Sequence, residues 1–177
     1  MRLGRLLVIV MLMAQPSYAQ SVGEKIGVNS MLGLTPKTPD LVKEAAESNL
    51  FVIQSAKLAL LKADRKVKEF AEQLLADYTK SATELSVIAD KFKLSLPTKV
   101  STAQERLLQR QDLLDGDDFI QRFLDDEVAA QKSALSLFER YAKKGDNSDL
   151  KAWANERLPV LRRHLDLALS LDKSPNN

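Results

Sequence analysis

Apolar residues recur at three- and four-residue steps through four long stretches of this chain, which commits it to amphipathic helices that must pack on one another. The first stretch opens at Thr38-Pro39-Asp40, an expected N-cap followed by a proline and an acid in the first turn, and runs to about Ala63. Val42, Ala46, Asn49, Ile53, Ala56 and Leu60 form its main face, widened by Leu41, Ala45, Val52 and Ala59. Phe51 and Leu58 fall roughly opposite. A helix this apolar is either covered on more than one side or shows a patch to a partner, and internal packing is the weightier reading.

Asp64 is the expected cap of the second helix, which reaches about Phe92 with Val67, Phe70, Ala71, Leu74, Tyr78, Ala82, Leu85, Ile88, Ala89 and Phe92 on its face. A long connection follows: Lys93 to Ser101 reads as a loop, Thr102 to Leu114 as a short amphipathic helix, and Asp115-Gly116 as its stop. Asp117 is expected to cap a helix to about Lys144, centred on Ile120, Leu124, Val128, Gln131, Leu135, Phe138 and Ala142. Gly145 suits its end, and Asn147 suits the cap of the last helix, Ser148 to about Leu171. Its face includes Leu150, Trp153, Ala154, Leu158, Leu161, His164, Leu165 and Ala168, and Pro159 is expected to kink it. Two short turns and one long crossover give an all-α, ferritin-like four-helix bundle with a short extra helix in the crossover.

The N-terminus reads as an address. Arg2 and Arg5 precede the apolar run Leu6 to Met13, Pro16 breaks it, and Ser17-Tyr18-Ala19 places small residues for a cut after Ala19. That is a secretory signal peptide, too short in its apolar run to span a bilayer. Its two arginines leave with it, so 26 basic residues become 24 against 24 acids. A neutral domain has no field for nucleic acid. The expected location is the periplasm, with full secretion as the alternative. Gln20 to Lys37 reads as an extended arm and 173–177 as a disordered tail. No cysteine is present, which removes disulfides, thiolate ligands and lipid anchoring from consideration.

Motifs for phosphate-binding loops, the nucleophile elbow and HExxH are absent. A di-metal carboxylate bundle needs Glu-x-x-His on two helices, and the residue three before His164 is Leu161. The core faces nonetheless carry polar side chains: Tyr78, Gln131 with Glu127 one turn earlier, and His164. These fit a ligand pocket or weak metal site, or a buried hydrogen-bond network that fixes helix register; the network is the plainer reading. Arg65-Lys66 with Lys68, and Arg162-Arg163, read as solvated faces, and Trp153 as a core or junction residue.

Laid out this way, four stretches carry a resemblance: DLVKEAAESNLFVIQSAKLAL, VKEFAEQLLADYTKSATELSVIA, DDFIQRFLDDEVAAQKSALSLFERYAKKGDN and LKAWANERLPVLRRHLDLA. The chain resembles the DUF4142 family of exported ferritin-like bundles from Asp40 to Leu171. That resemblance implies Glu at the position of Val52 and His at those of Tyr78, Gln131 and His164, a plausible set for a transition metal. Only His164 is kept here. The expectation is therefore a non-catalytic envelope module without cofactor or metal, monomeric or weakly self-associating, whose partner is an envelope protein or small molecule. The competing expectation is a metal-binding or redox protein with a degenerate site around His164, Glu127 beside it.

Overall fold

The computed structural model describes residues 35–173, so the expected signal peptide, most of the expected N-terminal arm and residues 174–177 lie outside the described residues. Helices α1 (Thr38–Lys62), α2 (Arg65–Lys91), α3 (Thr102–Asp112), α4 (Gly116–Lys144) and α5 (Ser148–Asp172) account for almost all of it, with no strand among the described residues.

Local chemistry sets most of the boundaries. Asp64 caps α2 by accepting from the backbone N–H of Val67, and Asn147 caps α5 by accepting from that of Leu150. Ser101 and Gln104 form a reciprocal capping box at the start of α3. Two expected caps differ. Lys37 rather than Thr38 holds the N-cap position of α1, and Asp115 rather than Asp117 that of α4, neither with a side-chain cap bond. Thr38 instead turns its hydroxyl to Tyr141 and Asp146. Gly116, at φ +57, takes a conformation L side chains avoid, which lets α4 begin two residues earlier than expected.

The end of α2 also has a definite form. Lys93 sits at φ 55 and the Leu94 N–H reaches the Ala89 carbonyl at 2.9 Å, a Schellman closure made without glycine. At the end of α4, a Cβ on Gly145 would collide with the Tyr141 ring, so glycine is required there by close approach. Helix α5 runs through Pro159 without interruption; Asn155, whose carbonyl loses its donor, is exposed and open to water.

The directions of the long helices follow from contacts at their ends. Lys62, ending α1, donates to the carbonyls of Asp112 and Leu114 and pairs with Asp115 at 3.3 Å, beside the start of α4. Thr38, opening α1, meets Tyr141 and Asp146 at the end of α4. Lys91, ending α2, pairs with Asp149 at the start of α5. Thus α1 is antiparallel to α2 and α4, while α2 and α4 run parallel, and the crossover returns the chain along the bundle. The hairpins α1–α2 and α4–α5 are the most extensive pairs, closed by α1 on α4 and α2 on α5, with α3 lying on α1 and α4.

Phe51 and Leu58 settle the question raised by the apolar first helix. Phe51 is buried and Leu58 half-buried against the core, so this face is internal packing. No helix among the described residues is long and apolar enough to cross a membrane.

Candidate functional site

Midway along the bundle, the core stripes of all four long helices change from apolar to polar. Helix α1 supplies Val52 and Ser55, α2 Asp77 and Tyr78, α4 Glu127 and Gln131, and α5 Arg157 and His164. All but Asp77 follow from a three- or four-residue step in their own stripes: 120, 124, 127, 131, 134 on α4, and 150, 154, 157, 161, 164, 168 on α5. Val52, Ser55, Glu127, Gln131 and His164 have no exposed surface.

The hydroxyl of Tyr78 donates to Gln131 Oε1 at 2.8 Å. That bond fixes the amide, whose Nε2 then donates to Glu127 Oε2 at 3.3 Å. The His164 ring stacks on Tyr78, with centroids 5.9 Å apart and planes 24° apart, and meets Phe70 edge-on at 6.3 Å. Its hydrogen bond goes elsewhere. His164 Nε2 lies 2.9 Å from Asp77 Oδ2, an oxygen shared with Arg163 at 2.6 Å. Arg157 donates to the Asp77 carbonyl at 3.2 Å. The expected Tyr78–Gln131–His164 group therefore exists as a hydrogen-bonded pair plus a stacked ring, and Val52 fills apolar space beside them.

Burial sets the charge states. It pushes the Glu127 acid up to about 8, against the hydrogen-bonding influence of Ser55 and Gln131, so Glu127 is neutral at pH 7. The Tyr78 phenol is pushed well above its ordinary range by burial and by Glu127. Burial lowers His164 below its ordinary value; Asp77 opposes that, and Arg163 and Arg157 add to it. A neutral His164 donates its Nε2 proton to Asp77 and leaves Nδ1 with a lone pair. That atom, Glu127 Oε1 and Ser55 Oγ are buried without a completed hydrogen bond.

Asp77, Ser55 and Arg157 are the members that sequence reading passes over. Ser55 and Arg157 do fall on the core stripes, three residues after Val52 and seven before His164, so periodicity alone could have found them. Asp77 is half-exposed and carries no periodic signal. Trp153 is a junction residue as expected, donating to Glu84 Oε2 at 3.2 Å with its ring 5.1 Å from Phe138. The basic clusters are exposed apart from the half-buried Lys68, with Arg65 beside Glu69 and Arg162 on Glu139, but Arg163 also buttresses the carboxylate that holds His164.

Residues 24–171 match the model of one family, described as a domain of unknown function (DUF4142). The chain belongs to the DUF4142 family. No curated protein and no solved structure matches it. The ligand set that the DUF4142 resemblance implies does not fit the residues here. Val52 offers no donor atom, Tyr78 and Gln131 are bonded to each other, and His164 retains one free nitrogen. Among the described residues, no group of three or more His, Asp or Glu side chains is placed to hold a metal ion.

Proposed function

We propose that this DUF4142 protein is an exported, non-catalytic binding or interaction module of the cell envelope, built as a ferritin-like bundle whose core site serves structure. One observation carries the reading: the Tyr78–Gln131–Glu127 chain is bonded inward across helices, so these groups brace the bundle. Chemistry requires a side chain presented to substrate, and these present themselves to one another. The crossover supports the ferritin-like assignment, since α2 and α4 run parallel around the long connection. The signal-like segment before residue 20 supports export.

Four large apolar side chains stand exposed among the described residues: Val87 and Phe92 near the end of α2, and Leu61 and Leu113 at the opposite end. Leu61 and Leu113, 78% and 84% exposed, flank the Lys62 contact between α1 and the α3–α4 turn. Cell fractionation combined with photocrosslinking from positions 61 and 113 in intact cells tests the reading. It predicts a processed chain beginning at Gln20 in the periplasm and one discrete adduct that Leu61→Asp or Leu113→Asp removes without changing the melting temperature. A cytoplasmic, uncut chain would sink the export claim. Absence of any adduct from exposed positions would sink the interaction claim.

A further inference from the structure

The seam between α2 and α5 holds a charge that the core network leaves unbalanced. Arg157 lies on the inner stripe of α5, between Ala154 and Leu161, and is only 5% exposed. Its guanidinium donates to the Asp77 carbonyl at 3.2 Å. Among the described residues it has no other hydrogen bond and no ion pair. Four of its five N–H donors are therefore left over.

The acids close at hand are committed elsewhere. Asp77 turns Oδ2 to Arg163 at 2.6 Å and to His164 Nε2 at 2.9 Å. Glu84, two turns further along α2, pairs with Lys80 at 3.8 Å and accepts from Trp153 at 3.2 Å. Glu156, next to Arg157 in the chain, is exposed. With Arg163 balancing Asp77 and the buried His164 neutral, the seam keeps one positive charge in excess, and it sits on Arg157. An unpaired ion at that depth is strongly unfavourable. Bracing a carbonyl needs only a neutral donor such as an amide. What a guanidinium adds is a planar fork of donors that fits two oxygens of one anion.

The seam is open at its edge, where the side chains of Asp77 and Arg163 are 28% and 53% exposed. We propose that Arg157 anchors an anion site in the α2–α5 seam, which takes one carboxylate or phosphate group of a small solute on the guanidinium fork. Arg163 has a separate part: it neutralises Asp77 and so removes the repulsion that an incoming anion would meet. The depth of Arg157 selects for size. A small free anion reaches it, whereas a phosphate fixed on a membrane surface or a nucleic-acid backbone does not. The site lies away from Leu61 and Leu113 and needs neither export nor a protein partner, so its failure and that of the interaction end are separate results.

The test uses the purified chain with its Arg157→Met and Arg162→Met variants, melted in sodium phosphate, acetate or chloride at equal ionic strength and pH 7. Phosphate or acetate should raise the melting temperature saturably above chloride. At a hundred times its dissociation constant, the anion should raise the folding equilibrium constant about a hundredfold. Arg162→Met, which alters an exposed arginine of the same helix, should keep the gain, and Arg157→Met should abolish it. In NMR spectra the Arg157 side-chain Nε–H should shift saturably over the same titration. Equal melting in the three salts overturns the proposal. So does a gain that Arg157→Met retains, which would assign the effect to general exclusion of the salt from the protein surface. If Arg157→Met does not fold, the NMR titration of the wild type decides alone, and an unmoved Arg157 resonance overturns the site.

Discussion

At the scale of single residues, the core network makes strong demands because Tyr78, Gln131 and Glu127 cannot turn to water. Tyr78→Phe leaves the Gln131 carbonyl oxygen buried without its donor, which costs about 1–3 kcal/mol. Gln131→Leu strands both the Tyr78 hydroxyl and Glu127 Oε2 and should cost at least as much. The double variant Tyr78→Phe/Gln131→Leu should destabilise by less than the sum, since it removes donor and acceptor together. A denaturant double-mutant cycle checks this; strictly additive losses would mean that the two side chains do not act as a pair. The four positions where the family resemblance suggests ligands were legible, because each lies on a clean apolar stripe. Their partners were not. The His164–Asp77 bond depends on how α5 is rotated against α2, and a half-exposed aspartate beside a core tyrosine looks like any surface acid.

At the scale of helices, ends rather than middles carry the informative chemistry. Gly145→Ala drives a methyl into the Tyr141 ring, which also anchors Thr38 and Asp146. Overpacking of this kind costs about 1–3 kcal/mol and should loosen the start of α1 from the α4–α5 turn. Hydrogen exchange at residues 38–42 reads that loosening directly; unchanged protection there would show that the clasp is not coupled to the glycine. Lys93→Gly has the opposite sign. It relieves a left-handed lysine in the Schellman closure of α2 and should raise stability by about 1 kcal/mol. The cap at Asp64 and the stop at Gly145 were readable from the sequence because those residue types have few other uses at such spacing. The starts of α1 and α4 slipped because a cap is defined by backbone conformation. Gly116 supplies at α4 a conformation that no periodic pattern records.

At the scale of the whole molecule, two buried titrations bound the stable range. His164 has its value depressed from 6.5, so its contribution is present above that pH and is lost as acid charges the unfolded chain. Glu127 works from the other side, losing its contribution as pH rises toward about 8. Stability should therefore be greatest on the mildly acidic side of neutrality, and His164→Asn should flatten the acid limb while leaving the alkaline one. Melting curves from pH 4 to 9 separate the two limbs. An acid limb unchanged in the variant would assign it to other groups. The parallel direction of α2 and α4 was foreseeable from the length of the connection after Phe92. The arrangement of polar groups across four helices was not, since it is fixed only when both hairpins dock.

The central claim is that these core groups bond to one another across helices and serve the fold rather than a metal. The most direct test is bound-metal analysis of the purified chain together with melting in the presence of Fe, Mn, Zn or Cu. The account predicts no stoichiometric metal and no shift in melting temperature with any of the four. A stoichiometric ion, with a stabilisation lost in His164→Ala, would contradict it.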